Sequence, residues 1–264
     1  MKRWVLAGVL AGGLLASVAW APAAWLASTL SSASDERLLL ADARGTLWSG
    51  SAVMVLAGGP GSRDASALPG RLQWRLGLDG VTPALRLQQA CCLAGEVMLH
   101  LRPGLGRLTV ELPASSGATA IGSWPASWLV GLGTPWNTLQ PSGRLLLSSR
   151  GLLLEQVQGR WRFSGQAVLE LAQFASRIST LETLGSYRLT LSGDAGAAGA
   201  AGPTRVQLQT TSGALQLSGS GEWAASRLRF NGQAAAAPGS EAALGNLLNI
   251  IGRRQGALSL ISIG

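Results

Sequence analysis

The sequence is poor in the residues from which active sites are usually built. It has one histidine, His100, two cysteines, Cys91 and Cys92, and thirteen acids spread over 264 residues. A Ser-His-Asp or Cys-His arrangement would have to use His100, which sits on the polar side of an alternating segment, and no G-x-S-x-G elbow occurs. The scattered acids offer no carboxylate pair and no magnesium site. A P-loop and a strand-linked G-x-G-x-x-G are both missing. Two cysteines without further Cys or a suitable His cannot complete a structural zinc site. Neither catalytic residues nor a cofactor is expected, and the chain is not read as an enzyme. Past residue 30 there is also no apolar run long enough for a further membrane span.

Lysine is nearly absent as well. The formal charge of +8 is carried by arginines, with Lys2 as the single lysine. Those arginines fall as singles along apparent strands, from Arg71 and Arg75 to Arg227 and Arg229. They form neither a block nor a helix stripe, so no nucleic-acid partner is expected. Two readings stay open: an Arg-rich solvent face, or attraction to anionic lipid headgroups or an acidic partner.

What the sequence does contain begins at the N-terminus. Lys2 and Arg3 precede an uncharged run from Trp4 to Leu30, and the first acid is Asp35. The run exceeds the roughly 20 residues that cross a hydrocarbon core, and basic residues ahead of it hold the N-terminus in the cytoplasm. Trp20 and Trp25 suit the outer interface. Ala19-Trp20-Ala21 has the form of a signal-peptide cleavage site, but Pro22 behind it hinders a cut. The expectation is a cytoplasmic stub over 1–3, a retained transmembrane helix over 4–30 in the inner membrane, and a periplasmic β-rich domain over 31–264.

The whole chain is 47% apolar and only 13% charged, and that domain has enough apolar residues to build a core. Its segments alternate with period two: Leu72, Trp74, Leu76 and Leu78 against Arg71, Gln73 and Arg75; Val97, Leu99 and Leu101 against Met98, His100 and Arg102; Leu108, Val110 and Leu112 against Arg107, Thr109 and Glu111. Val157, Gly159, Trp161 and Phe163 continue the pattern, as do Tyr187, Leu189 and Leu191 and the pairs Val206/Leu208, Leu215/Leu217 and Leu228/Phe230. Strands of this kind have one buried and one wet face, and Gly-rich turns make neighbours antiparallel. The fold expected is mainly β, a large twisted antiparallel sheet that is open, partly closed or stacked from hairpins, with a short C-terminal helix.

Ala57–Gly70 and Gly193–Pro203 read as loops, the second too rich in Gly and Ala to pack. Ser123–Leu132 reads as a short helix with Trp124 and Trp128 four apart. The clearest helix has Leu244, Leu247, Leu248 and Ile251 at i, i+3, i+4 and i+7, with Ser240 as cap, Arg253 and Arg254 in the last turn and Gly256 as stop. This stripe is a candidate packing or partner surface. A final apolar strand is expected over Ala257–Ile263, at an edge. An internal echo pairs Arg162-Phe163-Ser164-Gly165-Gln166-Ala167 with Arg229-Phe230-Asn231-Gly232-Gln233-Ala234, and Ser142-Gly143 with Ser212-Gly213, which suggests a repeated hairpin. The ten tryptophans are read as core, or as an open apolar groove or partner surface. Adjacent Cys91 and Cys92 suit a vicinal disulfide in an oxidising compartment, closing a tight turn between the strands around Leu87 and Val97; reduced thiols and a redox role are the alternatives.

Several of these segments, taken in order, resemble the type II secretion system protein N family. Ala43-Arg44-Gly45-Thr46-Leu47-Trp48-Ser49-Gly50 is similar to its opening motif. Thr134-Pro135-Trp136, Pro141-Ser142-Gly143 and Leu184-Gly185-Ser186-Tyr187 are similar to its middle. Gly219-Ser220-Gly221-Glu222-Trp223, the Leu244–Arg254 helix and Leu260-Ile261-Ser262-Ile263-Gly264 are similar to its end. The resemblance implies a bitopic inner-membrane accessory of the machine that exports folded proteins across the outer membrane, with other secretion subunits as partners and no catalytic residues. The alternative is a lipid-binding or lipid-bridging β module like the AsmA-like proteins, which the chain resembles in pattern.

Overall fold

The structure is a computed structural model and describes residues 12–13, 16–114, 120–157, 160–194, 203–224 and 227–264. The first strands are β1 (Leu38–Gly45), β2 (Ser49–Ala57), β3 (Ala65–Ala67), β4 (Leu72–Asp79), β5 (Thr82–Gln88), β6 (Val97–Gly104), β7 (Arg107–Leu112) and β8 (Gly122–Pro125), of which β4, β6 and β7 hold the alternating segments. Beyond them run β9 (Pro141–Val157), β10 (Arg160–Ser176), β11 (Gly185–Gly193), β12 (Thr204–Ser212), β13 (Leu215–Ala224), β14 (Arg227–Ala236), β15 (Arg253–Gln255) and β16 (Leu258–Ile263). All belong to one antiparallel sheet with the order β1-β2-β4-β5-β6-β7-β9-β10-β11-β12-β13-β14-β16-β15, while β3 adds to β2 and β8 to β9. The order is linear, so the sheet is open.

Register keeps like side chains on one face. Trp74 lies opposite Leu87 and Leu87 opposite Val97, while Arg75 lies opposite Arg86 and Arg86 opposite Met98. A one-residue slip would exchange these faces, which is what fixes the pairing. Two helices cover the apolar face. At the N-terminal end α1 (Ala23–Ala33) packs Ala23 with Leu40, Ala52 and Trp74, and brings half-buried Leu26 and Leu30 alongside. A four-residue helix α2 (Trp136–Leu139) supplies Leu139 to the second core. There α3 (Glu241–Ile251) buries Leu244, Leu247 and Leu248 against Phe174, Leu184, Tyr187, Leu215 and Ala234. Each such leucine contributes about 1.5–3 kcal/mol of burial.

The internal echo is a repeated hairpin. Phe163–Ala167 lies in β10 and Phe230–Ala234 in β14, each the second strand of a hairpin, and Ala167 and Ala234 are both buried. Gly143 and Gly213, one at the start of each unit, share a left-handed φ of +119° and +120°. Several strand glycines are roofed by rings, among them Gly50 by Trp74, Gly122 by Trp124 and Gly219 by Phe230. The ring supplies the contact that the glycine lacks.

Several expectations need correction. Ala57–Gly70 is not all loop, since β3 lies within it. Ser123–Leu132 is not one helix: Trp124 belongs to β8, and a 3-10 helix follows over Ala126–Leu132 and carries Trp128. Pro125 is its first flanking residue and keeps the preceding backbone extended. Ser240 stands at the N-terminus of α3 without a side-chain capping bond, and no basic residue lies in the last turn. Arg253 and Arg254 belong instead to β15, and Gly256 makes the β15–β16 turn with φ +61°. The final strand pairs with β14 and is covered on its other side by β15 only over residues 258–260. Leu78 is largely exposed despite its place in the apolar row, whereas Thr109 from the polar row is buried. Most of the Gly193–Pro203 loop, at 195–202, lies outside the described residues, as does the side chain of Trp161.

The run from Trp4 to Leu30 is not one helix. Residues 1–11 and 14–15 lie outside the described residues, and no described helix is long and apolar enough to cross a membrane. Residues 16–19 are helical, the chain leaves the helix at Trp20, Pro22 bridges to Thr46, and α1 starts at Ala23. Proline, without an N–H, suits the position before a new helix and interrupts a continuing one.

Candidate functional site

The most specific geometry in the molecule is the joint between the N-terminal segment and the sheet. It is built from the tight connection between β1 and β2. Gly45, at φ +89°, turns the chain, the Thr46 amide donates to the Ser49 carbonyl at 2.9 Å, and the Ser49 amide donates to the Thr46 hydroxyl at 3.1 Å. This braced turn presents two donors outward. The Leu47 amide reaches the Ala21 carbonyl at 2.8 Å, and the Trp48 indole N–H reaches the Val18 carbonyl at 2.9 Å. From below, the Trp74 indole N–H points at the carbonyls of Thr46 and Leu47, each at 3.2 Å, and its ring lies on Gly50. Ala21 and Ala23 are buried here. The Ala43–Gly50 segment is thus a socket for residues 18–23. In the sequence only a family resemblance singled out the segment, with no sign of what it holds.

Cys91 and Cys92 are joined by a disulfide, with sulfurs 2.14 Å apart. The ring sits in the β5–β6 connection, where the amides of Cys92 and Leu93 both donate to the Gln89 carbonyl at 3.2 and 3.1 Å. Cys91 is exposed and Cys92 buried. The Cys92 carbonyl accepts from the Ser123 amide at 2.7 Å, which ties this turn to β8. The Gln89 side chain is buried beside it with neither amide atom paired.

The C-terminal stripe faces inward. Leu244, Leu247 and Leu248 are fully enclosed in the core, and Ile251 is half-buried against it, so the three leucines offer no surface to a partner. Tyr187 beneath them donates to the Leu215 carbonyl at 3.0 Å and meets Phe174 edge to face, with centroids 5.9 Å apart. Burial pushes the Tyr187 phenol well above its usual range.

The arginines are partly accounted for by cross-strand ion pairs. Arg102 meets Glu111 at 2.8 Å, Arg107 meets Glu155 at 3.3 Å, Arg188 meets Glu170 at 2.7 Å and Arg86 meets Glu96 at 3.5 Å. At the β1 edge, hydrogen bonds from Arg71 and Arg44 hold the Asp42 carboxyl below the usual carboxylate range. His100 contacts Asp79 at 3.0 Å, again between strands. Such exposed pairs align strands and contribute little stability each. Among the described residues no group of His, Cys, Asp and Glu could hold a metal ion. Two cavities lie on the polar face: one of about 910 Å³ lined by residues such as Arg205, Gln207, Glu222 and Arg229, and one of about 160 Å³ over Gln73, Arg75 and Glu96. Neither is lined by a row of aliphatic side chains.

The model of one protein family, "Type II secretion system (T2SS), protein N", matches residues 36–260, which takes in the whole sheet up to β16. The chain belongs to the type II secretion system protein N family. No curated protein and no solved structure matches it significantly. Membership makes the chain an accessory component of type II secretion, a family not known for enzymes, and implies association with other components of that system. The matched residues include Ala43–Gly50, the segment that forms the socket.

Proposed function

We propose that this type II secretion protein N is held in the inner membrane by the N-terminal run and presents its sheet in the periplasm, where it contacts other secretion subunits without catalysing a reaction. The observation that carries the reading is the socket. The uncharged run is hydrogen-bonded into the β1–β2 turn part-way along its length, through Val18 and Ala21, rather than trailing on a linker. A cut near Ala21 or Ala23 would fall within packed residues, which supports retention of the run. The span then lies between Trp4 and Trp20, 17 residues, at the short end of the roughly 17–25 that cross a bilayer. Lys2 and Arg3 favour a cytoplasmic N-terminus. A span fixed to the sheet sets the orientation of every surface that a partner meets. The alternative, carriage of a lipid chain, has neither described cavity in its favour, since both are lined mainly by polar side chains.

The test is to replace residues 1–22 with a cleavable signal peptide and to measure export by cells that lack the natural protein. The expected result is a stable periplasmic body that restores little export. Full export by the released body would overturn the anchoring role.

A further inference from the structure

We infer that the hairpin tips at the socket end of the sheet form a second, peripheral contact with a lipid bilayer. Antiparallel order places alternate turns at the same end. The β1–β2, β4–β5 and β6–β7 turns and the far ends of β13 and β16 therefore share the end at which residues 18–22 enter.

That end carries most of the large apolar side chains left in solvent. Val81 is 95% exposed and Leu105 107%, each at the tip of a two-residue turn, and Trp20, Trp48, Trp223 and Ile263 are exposed with them. A turn selected only to reverse the chain favours Asn-Gly or Asp-Gly. Here Gly80-Val81 and Leu105-Gly106 keep the glycine, at φ +61° and +65°, and place a large aliphatic group beside it. Two turns at the opposite end carry no such group: Ser212-Gly213-Ala214 between β12 and β13, and Gln255-Gly256-Ala257 between β15 and β16.

Charge agrees with a lipid surface as the occupant. Leu105 is flanked by Arg102 and Arg107, both well exposed although each also meets an acid, which suits an apolar tip inserted between anionic headgroups. Exposed tryptophans at the same end match the side chains preferred at a membrane interface. The uncharged run leaves the body from this end, so a bilayer reached by the run lies against these tips. The inference rests on the anchoring reading only for that last point; the exposed tips stand without it.

The test uses the full chain in vesicles of phosphatidylethanolamine and phosphatidylglycerol. Single cysteines are introduced by V81C, L105C and I178C, the last at the opposite end, and carry an environment-sensitive fluorophore; the native disulfide leaves Cys91 and Cys92 unreactive. Lipids with a quencher in the acyl chain should remove most emission at positions 81 and 105 and little at 178. Equal emission at all three, or quenching as strong at 178, overturns the inference. Carbonate extraction of the same vesicles reads the anchor separately. Protein that is retained but unquenched keeps the anchor and loses the tips, and protein that is released but quenched at 81 and 105 keeps the tips and loses the anchor.

Discussion

The two helix-covered ends of the sheet are held by different forces. At the C-terminal end α3 drives three leucines into a core of Leu184, Leu215, Phe174 and Tyr187, and apolar burial dominates. At the N-terminal end the buried set is Ala23, Leu40, Ala52 and Trp74, mostly small, and the helix is positioned by hydrogen bonds at the socket. Burial is non-directional and scales with area, whereas a hydrogen bond fixes direction and adds only about 1 kcal/mol net. The C-terminal end therefore sets how stable the domain is, and the N-terminal end sets how it is oriented relative to the segment that precedes it.

This contrast is most easily broken in the core. Leu248→Ala should cost about 2–5 kcal/mol, and Leu248→Asp, which buries an unpaired charge, should abolish the cooperative melt of the domain. Leu40→Ala, bordered by alanines at the other end, should fall at the low end of that range. Equal losses of melting temperature for the two alanine variants would remove the distinction.

Roofed glycines sharpen the comparison. A Cβ on Gly219 would stand 2.5 Å from the Phe230 ring and 2.8 Å from the Asn231 carbonyl oxygen, and one on Gly50 would stand 2.5 Å from the Trp74 ring and 2.6 Å from the Arg44 carbonyl oxygen. Both alanine variants should lose about 1–3 kcal/mol. Hydrogen exchange separates their consequences: Gly50→Ala should expose the Leu47 amide, which bonds to Ala21, while Gly219→Ala should leave it protected.

Tyr187 is the only tyrosine, which makes its titration a clean report on the C-terminal core. Its raised pKa means that burial favours the neutral phenol. That contribution is fully present below the ordinary value of 10.0 and is lost as pH rises above it. Phenolate absorbance should stay low through that value and then appear together with loss of the fold. A simple titration centred on 10.0 in folded protein would show the core to be open.

The smallest effect belongs to Asp42, exposed at the β1 edge. Its lowered pKa gives a contribution present above the ordinary 3.8 and lost as pH falls through the depressed value. Asp42→Asn should leave the melting temperature at neutral pH nearly unchanged and speed amide exchange only along β1. A large change in melting temperature would assign this pair a structural weight that exposed pairs rarely carry.

Much of this was legible in the sequence. Period-two alternation located β4, β6, β7 and β11–β14 but ran one strand from Val157 to Phe163, where β9 ends and β10 begins, and the spacing of Leu244, Leu247, Leu248 and Ile251 located α3, because buried faces impose those periods. The same signal misread Leu78 and Thr109, whose exposure depends on how far neighbouring strands extend, and that is a property of register. β3 and β8 are three and four residues long, too short to show a period. Pro22 stands at the break between residues 16–19 and α1, yet the uncharged, mainly apolar run around it reads as one continuous span. The socket was the least legible feature. Its outward donors are one backbone amide and one indole, and their acceptors are carbonyls about 30 residues away, so residue types carry little trace of it.

The proposed anchoring fixes one end of this sheet to a membrane span, with the body in the periplasm. Thiol accessibility in intact cells tests it most directly. K2C and I178C chains, each with the native disulfide, are treated with a membrane-impermeant maleimide after the outer membrane alone has been permeabilised. I178C should be labelled at once, K2C only after the inner membrane is broken, and both chains should stay in the carbonate-washed membrane fraction. Labelling of K2C together with I178C, or recovery of either chain as soluble protein, would contradict it.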